Sequence, residues 1–159
     1  MILRIVSFII ILVSVYIFRY VNKQPWGRYD IFYINRNDTV LNQQTWFDPC
    51  SFTHLIFGMI LQEIVKYLVV PIPKAVCELI VVILFCAFEI VENNKAVTKI
   101  WGDSSYTGDA VINSFTDIII AIFGYALASK MNSFAVILII LVFLFLRPCG
   151  TPGYIIQDA

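Results

Sequence analysis

The chain alternates long apolar runs with short polar breaks. Residues 2–21, "ILRIVSFIIILVSVYIFRYV", are apolar almost throughout, with Arg4 and Arg19 near the two ends. About 20 apolar residues are what a helix needs to cross a bilayer, and arginine stems at its ends can reach the headgroups. The run is long for a signal-peptide core and no small-residue cleavage site follows, so it reads as an uncleaved anchor. Residues 22–48 break the pattern. They are polar and aromatic, contain Pro25 and Gly27, and read as a loop or interfacial segment with Trp26 and Trp46 at headgroup level. A second helix is expected over 49–70, with Asp48 as N-cap, Pro49 in the first turn, and Pro71 and Pro73 beyond its end. Further helices are expected over 74–92, 109–128 and 133–147, the last two joined by the tight connection "SKMNS". The pattern predicts an all-α polytopic transmembrane helical bundle of about five spans, forming one membrane domain over residues 1–159.

Composition agrees. The chain is 60% hydrophobic and 14% charged, where soluble domains carry about a quarter charged residues, and its mean hydropathy is +0.83. A formal net charge of zero provides no global field for nucleic acid. The four cysteines show neither CxxC nor Cys/His spacing, which argues against a zinc module or a disulfide scaffold. Cys77 and Cys86 read as small apolar residues among helices. Cys50 and Cys149 flank spans and can pair only in an oxidising compartment. With five spans, one face collects Arg19, Lys23, Arg28, Arg36, Lys95, Lys99 and Arg147, and the other Arg4, Lys66, Lys74 and Lys130. The positive-inside rule then puts the N-terminus outside and the C-terminus in the cytoplasm. The sequon Asn37–Thr39, on the face so assigned to the cytoplasm, argues the other way.

Six polar residues interrupt the apolar runs: His54, Glu89, Glu92, Asp109, Asn113 and Asp117. Up-down topology carries all six to one membrane face. Ionisable groups within spans are costly and face a cavity or one another. Residues four apart differ by about 40° around a helix, so 109, 113 and 117 are expected to form one stripe, about 12 Å long. Glu89 and Glu92 are i,i+3 neighbours, with Asn93 one turn after Glu89. His54, Gly58 and Gln62 share another stripe, and Gly58 admits a close neighbour. Blander readings exist for most of them. Asp109 suits a helix N-terminus, Asn113 and His54 suit interhelical hydrogen bonds, and Glu92 suits the headgroups. Glu63 and Lys66 read as a local pair, and Lys74 and Glu78 as interfacial groups. Asp117 lies deepest and calls for a function or an obligatory partner.

The stretches "FTHLIFG", "FEIVENN" and "YTGDAVINSFTD" resemble the DUF2585/UPF0314-type family of uncharacterised small multi-pass membrane proteins and, more distantly, VanZ-like proteins. The resemblance covers roughly Trp46 to Ala128. It points to His54, Glu89, Glu92, Asn93, Tyr106, Gly108, Asp109, Asn113, Ser114 and Asp117. Phe88 stands where the family usually has Trp, and Ala110 where it has Ser. The ionisable set is intact, and no hydroxyl is available at 110. That family has no established activity, so the resemblance implies a fold class more than a function.

Carboxylates with one histidine can hold a divalent cation through oxygen and imidazole, and the cation can neutralise a lipid phosphate or activate water. The expected metal ligands are Asp109, Asp117 and Glu89; the expected catalytic residues are His54, Glu89 and Asp117. Glu92, Asn93, Tyr106, Asn113 and Ser114 are expected to bind substrate. The activity so implied is a metal-dependent lipid-headgroup hydrolase or transferase, with membrane lipid as partner and no nucleic acid. No nucleophile elbow, P-loop or HExxH accompanies these residues. A structural envelope or scaffold protein, whose polar groups only lock helix packing, is the alternative. An ion- or proton-coupled transporter is a second, disfavoured by the absence of a visible inverted repeat.

Overall fold

The computed structural model describes residues 2–28, 30–31, 43–68, 72–98 and 108–146. Among them are six helices and no strand: α1 Ile2–Tyr20, α2 Ser51–Tyr67, α3 Lys74–Glu92, the single turn α4 Lys95–Thr98, α5 Val111–Ala128 and α6 Ser133–Leu146. The five long helices lie within the five expected runs, with five of the ten ends coinciding and the other five drawn in by one to three residues. Pro73 sits immediately before α3, where a proline's missing N–H costs nothing. Asn37–Thr39, Pro71, Tyr106, Arg147 and Cys149 lie outside the described residues. Two helices, α1 and α5, are long and apolar enough to cross a membrane; α6 is also apolar but has 14 residues.

Helices α2 and α5 run in the same direction, since His54 and Lys66 of α2 meet Asp117 and Ala128 of α5. Their contact is made by two glycines. A Cβ on Gly58 would strike the Ala121 carbonyl, and one on Gly124 would strike the Leu55 carbonyl. The neighbour that Gly58 admits is therefore the backbone of α5. Lys66 pairs with Glu63 and also donates to the carbonyls of Ala128 (3.1 Å) and Met131 (3.3 Å). It thereby closes the C-terminal end of α5, whose last carbonyls have no partner within the helix.

Helices α1 and α3 end together, with the Asn22 side chain donating to the Ile90 carbonyl at 3.1 Å. Three apolar clusters join the elements. Phe18, Val82, Cys86, Val111 and Ile118 tie α1, α3 and α5; Ile56, Met59, Ala128 and Val136 tie α2, α5 and α6; Val81, Phe85, Ala121 and Tyr125 tie α3 to α5. The usual partition is inverted: His54, Glu89, Asn113, Ser114 and Asp117 are buried, while Phe8, Leu12, Phe134, Leu141 and Phe145 are exposed. Cys77 and Cys86 are free and Cys50 is disulfide-bonded.

The described residues of the polar segment after α1 are irregular, in keeping with a loop, and residues 22–28 and 43–48 fold over the start of α5. The N–H groups of Ala110, Val111 and Ile112 donate to the carbonyls of Gln43 (2.8 Å), Pro25 (2.8 Å) and Trp26 (3.2 Å). Gly27, at φ 99°, packs so closely on Ile112 and the Gln44 carbonyl that no side chain fits. The start of α5 is thus capped by backbone carbonyls, which periodicity does not register.

Gly58→Ala and Gly124→Ala each insert a methyl against backbone. Each is expected to destabilise the protein by about 1–2 kcal/mol net, since overpacking costs roughly 1–3 and the gain in helix propensity is at most about 1. Thermal melts in detergent check this; an unchanged or raised Tm would contradict the close crossing.

Candidate functional site

The site forms where the start of α2, the end of α3 and the start of α5 meet. Ahead of α2, the Ser51 N–H donates to Asp48 Oδ1 at 2.8 Å, and the Asp48 N–H donates to Ser51 Oγ at 3.3 Å. This reciprocal turn fixes the entry to α2 as a capping box does. Burial pushes the Asp48 carboxyl above its ordinary range, and hydrogen bonds from the Ser51 and Cys50 backbone work against that.

One turn on, His54 points between the other two helices. Its Nδ1 is 3.2 Å from Glu89 Oε1 and its Nε2 is 3.8 Å from Asp117 Oδ2. The first approach is close but not aligned as a hydrogen bond. His54 Nδ1, Glu89 Oε1, Glu92 Oε2 and Asp117 Oδ1 are all buried with no hydrogen-bond partner, counting the described residues. Phe57 and Phe88 stand edge-on to the imidazole at 6.4 and 6.0 Å. Phe88 therefore keeps an aromatic wall where the family usually has Trp.

Two sets of donor atoms each lie within 4.8 Å of one another: His54, Glu89 and Glu92, and Glu89, Asp109 and Asp117. Two ionised carboxylates at that spacing repel by about 3.5 kcal/mol at an effective dielectric near 20. Among the described residues, no Lys or Arg pairs with Glu89, Glu92 or Asp117. The arrangement suits a cation bound through carboxylate oxygens and one imidazole.

Beside this cluster lies a second network that is satisfied. Asn93 Oδ1 accepts the Asp109 N–H at 2.6 Å. Its Nδ2 donates to the Glu89 carbonyl (3.1 Å), Glu89 Oε2 (3.3 Å) and Ser114 Oγ (3.1 Å). Gln24 Nε2 donates to Ser114 Oγ at 3.0 Å and to the Asp109 carbonyl at 2.7 Å. The hub joins α3, α5 and the segment after α1 through three side chains.

Of the expected site residues, His54, Glu89, Glu92, Asp109 and Asp117 come together. The reason given for Asp109 needs correction: it precedes α5 and lies off the 113/117 helical stripe, held in place by Asn93 and Gln24. Asn113 is directed elsewhere, donating to the Thr45 carbonyl at 3.0 Å. Tyr106 lies outside the described residues. Sequence reasoning missed Gln24, Asn22 and Thr45, all buried. The available signal was a pair of amides set among aromatic residues and Pro-Trp-Gly, which reads equally well as interface.

A family model described as "Protein of unknown function (DUF2585)" matches residues 25–151. No solved structure matches the chain.

Asn93→Ala strands the Asp109 N–H and removes one donor to Ser114. It is expected to cost about 2–3 kcal/mol, the range for orphaned buried polar groups. Asn93→Asp retains the acceptor but loses the donor and adds a negative charge, so it is expected to do no better. Equal melting of wild type and both variants would show that the hub does not hold the site.

Proposed function

As the chain belongs to DUF2585, a family of unknown function, we propose its role from the site alone: a five-span membrane protein that holds a divalent cation at one membrane face and uses it to bind and process a polar lipid headgroup. The carrying observation is the set of buried atoms without hydrogen bonds on His54, Glu89, Glu92 and Asp117, converging with no Lys or Arg paired to them among the described residues. Protein interiors do not keep such atoms without reason. A cation satisfies them together and supplies Lewis-acid chemistry toward a phosphate oxygen. The activity class is a metal-dependent hydrolase or transferase, with Glu89, Asp109 and Asp117 as ligands and His54 as ligand or base.

The membrane setting follows from the inverted partition. Lipid covers exposed apolar faces such as those of α1 and α6, and α2 and α3 cross beside them with Glu63 and Glu89 turned inward. Asn93, Asn113 and Ser114 hold the site's walls rather than the headgroup, because their amide protons and hydroxyl oxygen engage protein atoms. The purely structural reading applies to those three. The start of α5 is not the phosphate seat, since its first N–H groups are already taken by loop carbonyls. For orientation, the charge bias puts the site's face in the cytoplasm and the N-terminus outside.

Millimolar Mn²⁺ or Mg²⁺ is expected to raise the Tm of wild type in detergent. A ligand at 100 times its Kd adds about 2.7 kcal/mol. Glu89→Gln is expected to fold and lose that gain, and Asp117→Asn to fold and lose part of it. Glycerophosphate should add a further shift only when the cation is present. A wild type indifferent to both would reduce the cluster to helix-packing contacts.

A further inference from the structure

Glu89 belongs to two ligand sets at once, His54–Glu89–Glu92 and Glu89–Asp109–Asp117, each with donor atoms within 4.8 Å of one another. The five side chains do not close into a single set at that reach. Divalent cations sit about 2.0–2.6 Å from oxygen ligands, so one ion completes one triad and leaves the other open. Glu89 can serve both, since a carboxylate offers two oxygens. Its plane is held by Asn93, whose Nδ2 lies 3.3 Å from Oε2, while Oε1 is unpartnered.

The unpartnered atoms fall on both sides of Glu89. His54 Nδ1 and Glu92 Oε2 belong to the first triad, and Asp117 Oδ1 to the second. A single ion in either triad would leave buried, unpartnered atoms in the other. Glu89, Glu92 and Asp117 have no Lys or Arg partner among the described residues, and His54 comes within ion-pair distance of only Glu89 and Asp117. His54 and Glu89 are both at least nine-tenths buried, so water cannot substitute freely for the missing ligands.

We propose that the site holds two divalent cations bridged by Glu89, the first completed by His54 and Glu92 and the second by Asp109 and Asp117. This rests on the cation reading above and extends it from one ion to a pair. Paired ions of this kind sit about 3.5–4 Å apart. In that pair Glu89 differs from every other ligand, being the residue both ions require.

The test is a Mn²⁺ titration of metal-stripped, full-length protein in detergent. It is read by equilibrium dialysis with metal analysis and by electron paramagnetic resonance. Wild type is expected to bind two Mn²⁺ per chain, with a spin-coupled spectrum at the second equivalent. Glu92→Gln and Asp117→Asn are each expected to retain one uncoupled ion, and Glu89→Gln neither at the same concentrations. Circular dichroism checks that each variant is folded, and the wild-type titration is decisive even if one is not. One ion per chain, abolished by Glu92→Gln and Asp117→Asn alike, would overturn the pair and leave the single-cation reading standing. No bound ion in folded wild type would overturn both, leaving His54 packed between Glu89 and Asp117.

Discussion

Backbone contact between α2 and α5 at Gly58 and Gly124 is the constraint on which the rest depends. With either glycine replaced, a Cβ meets a carbonyl of the facing helix, and the two axes must part. Their closeness places His54 and Asp117 within reach of each other one to two turns away. It also leaves Lys66 near enough to close the last turn of α5. Helix α3 then lies in the remaining groove through Val81 and Phe85, which brings Glu89 to the same level as the other two. A small residue at the crossing therefore fixes the distances in a charged cluster that it does not touch.

That cluster combines two opposed designs. Asn93, Ser114 and Gln24 form a saturated network in which nearly every donor and acceptor is used. Gln24 Oε1 is the exception. A few ångströms away, His54, Glu89, Glu92 and Asp117 keep atoms unpartnered in a buried space. Saturated networks rigidify, and unsatisfied ones await a ligand or are strained. Side by side, the first serves as a frame for the second. Asn93 belongs to both, since one amide group contacts the Glu89 carboxylate and the Asp109 backbone.

The sequence made much of this legible, and the reasons are physical. Five apolar runs gave the five long helices, because a lipid-length run bounded by prolines and polar turns has few other solutions. His54, Glu89, Glu92 and Asp117 stood out because acids within such runs are costly. The closeness of Gly58 to a neighbour was foreseeable, though which neighbour was not. What escaped was non-local. Periodicity treats a helix as beginning where polar residues begin, so Asp109 was set on α5 although the helix starts at Val111. It says nothing of backbone carbonyls 67 to 86 residues away capping that start. Gln24 and Thr45 had no signal beyond being amide and hydroxyl side chains in a polar stretch. Asn113 shares a helical face with Asp117 by spacing, yet its side chain turns toward the loop that covers the site.

The most direct test of the central claim is the metal content of the protein as purified, by mass spectrometry, wild type beside the Asp109→Ala/Asp117→Ala double variant. The account predicts near-stoichiometric or higher divalent metal in wild type and about one ion per chain fewer in the variant. A folded wild type that carries no metal and takes up none when dications are added would contradict it, and the carboxylates around His54 would then be held by protons and helix packing alone.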